Sequence, residues 1–232
     1  MERTWAREAV DSALEEVRLY LRTAGSFARH PGVFSAEWAA GERHAMNPLG
    51  FFASSLAVIG VLGQLERFWP APGDSKPSFL GDALEATGPY LHAVVLALLI
   101  HALLRARGSR RPVLDSVAAA LYAGGIAQVA ASFFLAVLQA AFRKPLGEIA
   151  QVRWATALIA FSLVGPAVFF AVAIVLALAA LHGMPRRWPL LGFVLAWSLT
   201  GALLSLLNPP GHYGLHPVIR TASDTANIGL GF

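Results

Sequence analysis

Five long apolar runs constrain this chain more than any other feature of its sequence. They lie at about residues 48–65, 88–104, 115–142, 155–182 and 188–208. An α-helix needs roughly 17–25 such residues to cross the apolar core of a bilayer. Charged residues make up only 14% of the chain, against about 25% in an average soluble domain. The sequence therefore predicts an all-α integral membrane bundle of five transmembrane helices, numbered here as spans 1 to 5.

The residues outside these runs divide the chain into three parts. We predict a cytoplasmic, amphipathic and interfacial segment over residues 1–47, the transmembrane bundle over residues 48–208 and an exposed, non-cytoplasmic tail over residues 209–232. The last span is expected to end at Asn208, because the prolines that follow cannot continue a helix.

The first part has the pattern of an amphipathic helix over residues 2–24. Four apolar residues recur at helical spacing and share one face: Val10, Leu14, Val17 and Leu21. A helix of this kind rests on a bilayer surface or on the mouth of the bundle, or it docks into a groove of a partner. We also expect the aromatic rings of Phe27, Phe34 and Trp38 to lie at the level of the lipid headgroups.

The distribution of Lys and Arg predicts an orientation. One side carries Arg3, Arg7, Arg18, Arg22, Arg29, Arg43, Arg105, Arg107, Arg110, Arg111, Arg186 and Arg187. The other side carries half as many: Arg67, Lys76, Arg143, Lys144, Arg153 and Arg220. Since basic loops remain in the cytoplasm, we expect the N-terminus inside and the C-terminus outside, in a bacterial cytoplasmic membrane. The net charge of +4 is then explained by contact with anionic lipid rather than with nucleic acid.

Two ionisable residues are predicted near the inner end of the bundle. His101 lies late in span 2 and Asp115 opens span 3, so the two side chains are expected to be close enough to meet. A carboxylate beside an imidazole supports proton transfer or holds one tautomer. The simpler interpretation is an interhelical hydrogen bond, with Asp115 as a helix cap.

Polar residues form a stripe on each of two spans. Span 3 carries Gln128, Ser132 and Gln139 near Gly125, and span 5 carries Ser198 and Ser205 near Gly201. One interpretation is that the two spans pack tightly, with small residues and hydrogen bonds at their contact. The other is that the stripes line a narrow path for a polar solute or a lipid headgroup.

The sequence predicts no metal, cofactor or catalytic residue. The chain has no cysteine, which excludes a disulfide, a thiolate nucleophile and a cysteine metal site. His212 and His216 in the tail have a spacing of four, but glycine and proline neighbours argue against the helix that such a metal site needs. Nucleotide-binding and hydrolase motifs are not found.

Scattered residues resemble a known family. Residues 25–208 contain His30-Pro31-Gly32-Val33-Phe34, Gly41-Glu42-Arg43 and Asn47-Pro48-Leu49 before span 1, and Val113-Leu114-Asp115-Ser116 before Leu121-Tyr122-Ala123-Gly124-Gly125 in span 3. With five spans and a basic loop, this layout resembles the bacterial branch of the Yip family, which are five-span Rab-interacting membrane proteins, or a related bacterial membrane family. The Asp-Leu-x-Gly-Pro motif of eukaryotic members is absent. The resemblance implies an adaptor or scaffold without catalytic residues.

We therefore expect a non-enzymatic membrane adaptor or complex subunit that docks a protein partner, or a second copy of itself, on its cytoplasmic face. The residues expected to make this contact are Arg105, Arg107, Arg110 and Arg111. The alternative is a small transporter, channel or lipid-handling protein that uses the stripes on spans 3 and 5. A third hypothesis is an intramembrane enzyme that uses His101 and Asp115.

Overall fold

A computed structural model describes residues 2–64, 87–144, 149 and 153–207. Seven helices and no strand occur in these ranges, which confirms the predicted all-helical fold. The helices are α1 (Glu2–Arg29), α2 (Pro31–Ala39), α3 (Pro48–Gly63), α4 (Thr87–Ala106), α5 (Val113–Phe142), α6 (Arg153–His182) and α7 (Arg187–Leu207). The predicted tail and its two histidines lie outside the described residues.

Each of the five apolar runs coincides with one helix, from α3 to α7. Two of these helices, α5 and α6, are long and apolar enough to cross a membrane, and α3 and α4 form shorter apolar helices. The helix starts follow from local chemistry. The side chain of Asn47 caps α3 by accepting a hydrogen bond from the backbone N–H of Gly50 at 2.7 Å, and Pro48 occupies the first helical position.

Helix α5 lies at the centre of the bundle. It packs against α3, α4 and α6, whereas α7 packs against α4 and α6. At Gly125, α3 approaches α5 closely: a Cβ atom there would lie 2.8 Å from both the Phe51 ring and the Ser55 hydroxyl. The glycine that we placed in the polar stripe of span 3 therefore serves helix packing against α3.

The segment before α3 is packed into the bundle, contrary to the expectation for its aromatic residues. Phe27 and Phe34 are fully buried and Trp38 is half-buried, so the first two rings contact the core of the protein rather than lipid headgroups. Helix α2 lies against α6, where the position of a Gly32 Cβ would be 3.1 Å from the carbonyl oxygen of Leu176. The prediction failed because aromatic rings suit a buried contact as well as an interface.

Helix α1 divides into two halves with different surroundings. Its second half places Tyr20, Thr23 and Phe27 in the core. The apolar face predicted from the sequence is instead exposed: 58% of Val10, 49% of Leu14, 54% of Val17 and 62% of Leu21. The helix thus has two apolar faces, and only the one at the C-terminal half is covered by the rest of the chain.

Candidate functional site

Two short loops meet at one end of the bundle. The loop between α4 and α5 and the loop between α6 and α7 each have a glycine of positive φ within their first two residues, Gly108 at 94° and Gly183 at 60°. Glycine adopts this left-handed conformation without steric cost and so ends a helix sharply. The Arg107 guanidinium lies over the Trp188 ring, 3.8 Å from its centroid, which joins the α4–α5 loop to the start of α7.

This end of the bundle is strongly positive. Both loops and the adjoining helix ends present six exposed arginines, here called the basic face: Arg105, Arg107, Arg110, Arg111, Arg186 and Arg187. None of them forms a salt bridge with a carboxylate in the described part of the chain, where the ion pair found is Arg43–Glu37 at 2.8 Å. Their charge is therefore available to a negatively charged partner.

A hydrogen-bonded cluster of three buried side chains and the half-buried His182 lies beneath the basic face. It consists of His101, Ser109, Ser116 and His182, and we call it the polar latch. The Nδ1 atom of His101 lies 2.9 Å from the Ser116 hydroxyl, which lies 3.1 Å from Nε2 of His182. The other nitrogen of His182, Nδ1, makes a short hydrogen bond with the Ser109 hydroxyl. The backbone N–H of Arg111 donates to that same hydroxyl at 3.3 Å.

The latch joins three helices and one loop. Ser116 is completely buried, and Ser109 and His101 are exposed by only 7% and 8%. Both ring nitrogens of His182 are hydrogen-bonded, so this one side chain links α6 to α5 and to the α4–α5 loop. Polar groups that are buried with partners specify one arrangement of the surrounding elements. The latch therefore fixes the α4–α5 loop relative to the end of α6, where the α6–α7 loop begins.

The sequence identified part of this cluster. It placed His101 at the inner end of span 2 next to the start of span 3, and the structure does bring these elements together. His101 contacts Ser116 rather than its neighbour Asp115, which is half-buried and acts on His101 through its charge. Ser109 and His182 were missed, although both lie at span ends that the Lys and Arg distribution assigns to the same side.

The two polar stripes lie on helices that are not principal neighbours. Among the described residues, α7 packs mainly against α4 and α6 rather than against α5. On α5, Gln139 is buried and Gln128 and Ser132 are half-buried, whereas Ser198 on α7 is exposed. The surroundings of Gly201 and Ser205, the residues of span 5 that were predicted to make this contact, lie outside the described set. The contact of the two stripes and the alternative of a common path therefore stay predictions.

An aromatic cluster around Tyr122 attaches the N-terminal helices to the bundle. The Tyr122 ring lies 5.1–6.1 Å from the rings of Phe27, Phe34, Trp38 and Phe51, measured between centroids. Its hydroxyl donates to the carbonyl oxygen of Met46. Tyr20 of α1 stacks on Phe51 and hydrogen-bonds Ser55 at 3.1 Å, and burial raises the pKa of Tyr20 above its ordinary value. These contacts position α1 and α2 and offer no reactive group.

Metal-binding geometry is not found among the described residues: no three side chains of His, Asp or Glu converge on one point. Comparison with protein-family models, with curated proteins and with solved structures finds no match to this chain. Its own geometry is thus the basis for a functional proposal.

Proposed function

We propose that this chain is a non-enzymatic membrane adaptor whose basic face docks an acidic segment of a cytoplasmic protein partner. The observation that supports this most directly is the basic face itself. Six exposed arginines from two loops converge on one surface, and none of them forms a salt bridge in the described part of the chain, where the half-buried Asp115 interacts with Arg111 through its charge. Guanidinium groups bind carboxylates through paired hydrogen bonds, so such a surface favours Asp- and Glu-rich partners.

The rigidity of this surface also supports docking. Arg107 is held by the Trp188 ring, and the polar latch fixes the loop that carries Arg110 and Arg111 against the end of α6. Preorganised charges lose less conformational entropy on binding than mobile ones. Clustered charge of one sign also accelerates encounter with an oppositely charged partner.

The proposal includes five membrane spans, α3 to α7, with the basic face in the cytoplasm. The coincidence of all five apolar runs with helices supports this arrangement, as does the excess of arginine at the end of the bundle that we assign to the cytoplasm. We place α1 along the membrane surface, because its exposed stripe of Val10, Leu14, Val17 and Leu21 suits the interface. The likeness to the Yip family agrees with an adaptor and stays a prediction.

Charge reversal tests the docking function. We expect Arg105→Glu, Arg110→Glu and Arg111→Glu together to abolish capture of the partner when the protein is purified from native membranes in mild detergent. The same three positions changed to Lys should retain capture, since the positive charge remains. Arg107 is left intact because its reversal would also remove the stacking on Trp188.

A matched control uses the three exposed arginines Arg7, Arg18 and Arg29 of α1. Changing these three residues to Glu alters the net charge by the same amount, but away from the basic face. This control should therefore still capture the partner. Quantitative mass spectrometry of the co-purified polypeptides measures the outcome. If the wild type, the basic-face reversal and the control capture the same set of polypeptides, the proposed docking surface is wrong.

A further inference from the structure

We propose that the polar latch is a proton-binding site that strengthens the basic face toward acidic protein segments when the pH on that side of the membrane falls. The inference rests on the proposed docking function and assigns its regulation. Its basis is the arrangement of two imidazoles and two hydroxyls in one continuous chain directly beneath the arginines.

The neutral latch has two self-consistent hydrogen-bonded forms. In the first, His101 donates from Nδ1 to Ser116, Ser116 donates to His182, and His182 donates from Nδ1 to Ser109. In the second, every donor is reversed: Ser109 donates to His182, His182 donates from Nε2 to Ser116, and Ser116 donates to His101. Each hydroxyl supplies one proton, and each neutral imidazole donates from one nitrogen. No group in this series of hydrogen bonds therefore needs to carry a charge.

The polar latch can take up a single proton without losing a hydrogen bond. When His182 carries the proton, both of its nitrogens donate, to Ser109 and to Ser116. Ser116 then donates to Nδ1 of His101, and Ser109 accepts from both His182 and the backbone N–H of Arg111. A second proton would place two N–H donors on Ser116 and leave its own hydrogen without the acceptor that it had. The geometry thus accommodates one proton and disfavours two.

The charged residues around the latch determine how a bound proton affects docking. Burial and the charge of Arg105 disfavour an imidazolium at His101, whereas Asp115 favours one there. Burial, His101 and Arg111 disfavour an imidazolium at His182, so the latch is neutral without a partner. An imidazolium at His182 adds a charge of the same sign as the arginines above it, which raises the positive potential of the basic face. An acidic partner seated there offsets this repulsion. Because binding and protonation are linked reciprocally, acidification tightens docking and docking favours protonation.

The test measures the affinity of an oligo-aspartate peptide for the purified protein at about pH 7.5 and about pH 5.5, the range in which histidine changes charge. Aspartate remains ionised across this range, since its ordinary pKa is about 3.9. For the wild type we expect binding to be about fivefold or more tighter at the lower pH, the lower end of typical coupling between linked sites. His182→Gln, which keeps donors and an acceptor but cannot charge, should reduce the difference. The double change His101→Gln and His182→Gln should abolish it, because Nε2 of His101 can also take the proton while its Nδ1 donates to Ser116.

Three further variants separate the latch from other titrating groups. His44→Gln changes an exposed histidine outside the latch and should leave the pH effect intact. Asp115→Asn removes the nearby carboxylate and should also leave the sign of the effect unchanged. Ser109→Ala removes one acceptor of the charged His182 and should reduce the effect, which keeps the proposal testable if His182→Gln does not fold.

The two proposals fail in different ways. If the peptide does not bind at either pH, the docking function is wrong. If the peptide binds equally at both pH values, or if His182→Gln and Ser109→Ala retain the full pH effect, the latch is not the proton-binding site, while docking stands.

Discussion

At the level of single residues, the helix contacts depend on glycines, which have no side chain, as much as on the large side chains that pack against them. Gly125 allows the Phe51 ring and the Ser55 hydroxyl to lie where its own Cβ atom would be, whereas Gly165 in α6 has nothing within 4 Å of that position. Sequence spacing cannot distinguish these two glycines, since both lie inside long apolar helices. Only the neighbouring helix shows which one is required.

We predict that Gly125→Ala destabilises the protein and that Gly165→Ala does not. The added methyl group at position 125 must displace Phe51 and Ser55 from 2.8 Å, and overpacking of a tight core costs about 1–3 kcal/mol. At position 165 the methyl group meets open space, and alanine favours helix over glycine by about 1 kcal/mol. Thermal unfolding in detergent measures both variants. An equal midpoint for the two would show that α3 does not pack this closely on α5.

At the level of elements, the N-terminal helices are part of the bundle. Helix α2 packs against α6, and its Phe34 lies within the aromatic cluster at Tyr122. The sequence correctly predicted helix and amphipathicity for α1, because the period of apolar residues depends on local geometry alone. It did not predict which apolar face is covered, because that depends on contacts with Phe51 and Tyr122.

Neighbouring residues of α2 provide a direct test of this packing. Phe34 is fully buried and Val33 is 56% exposed. We expect Phe34→Ala to lower the free energy of unfolding by about 3–5 kcal/mol, the cost of removing a large core side chain. Val33→Ala should change it by about 0.5 kcal/mol or less, as at other exposed positions. Chemical or thermal unfolding compares the two, and similar losses would place α2 on the surface of the bundle.

At the level of the whole molecule, the proposed docking function depends on which helix ends lie together. The α4–α5 and α6–α7 loops form one surface through the Arg107–Trp188 contact and the Ser109–His182 hydrogen bond. The opposite end of α5 carries Arg143, whose positive φ of 52° ends that helix. In the proposed five-span arrangement, these two ends lie on opposite sides of the membrane.

This arrangement predicts the result of cysteine labelling, for which the chain is well suited because it has no native cysteine. A cysteine at Arg143 should react with an impermeant maleimide applied to intact cells. A cysteine at Arg110 should react only after the membrane is opened. Labelling of both positions from outside would contradict the five-span arrangement, and labelling of Arg110 alone from outside would reverse the orientation.

The helical class, the positions of the apolar helices and the concentration of arginine in the loops at one end could all be predicted from the sequence. These properties follow from local composition and periodicity, which act over a few residues. Tertiary structure alone decided that His182 and Ser109 join His101, that Asp115 does not contact it, and that α4 and α6, rather than α5, flank α7. Such pairings join residues far apart in the chain, for example Ser109 and His182, 73 positions apart. They depend on how the helices pack in three dimensions, which no local pattern encodes.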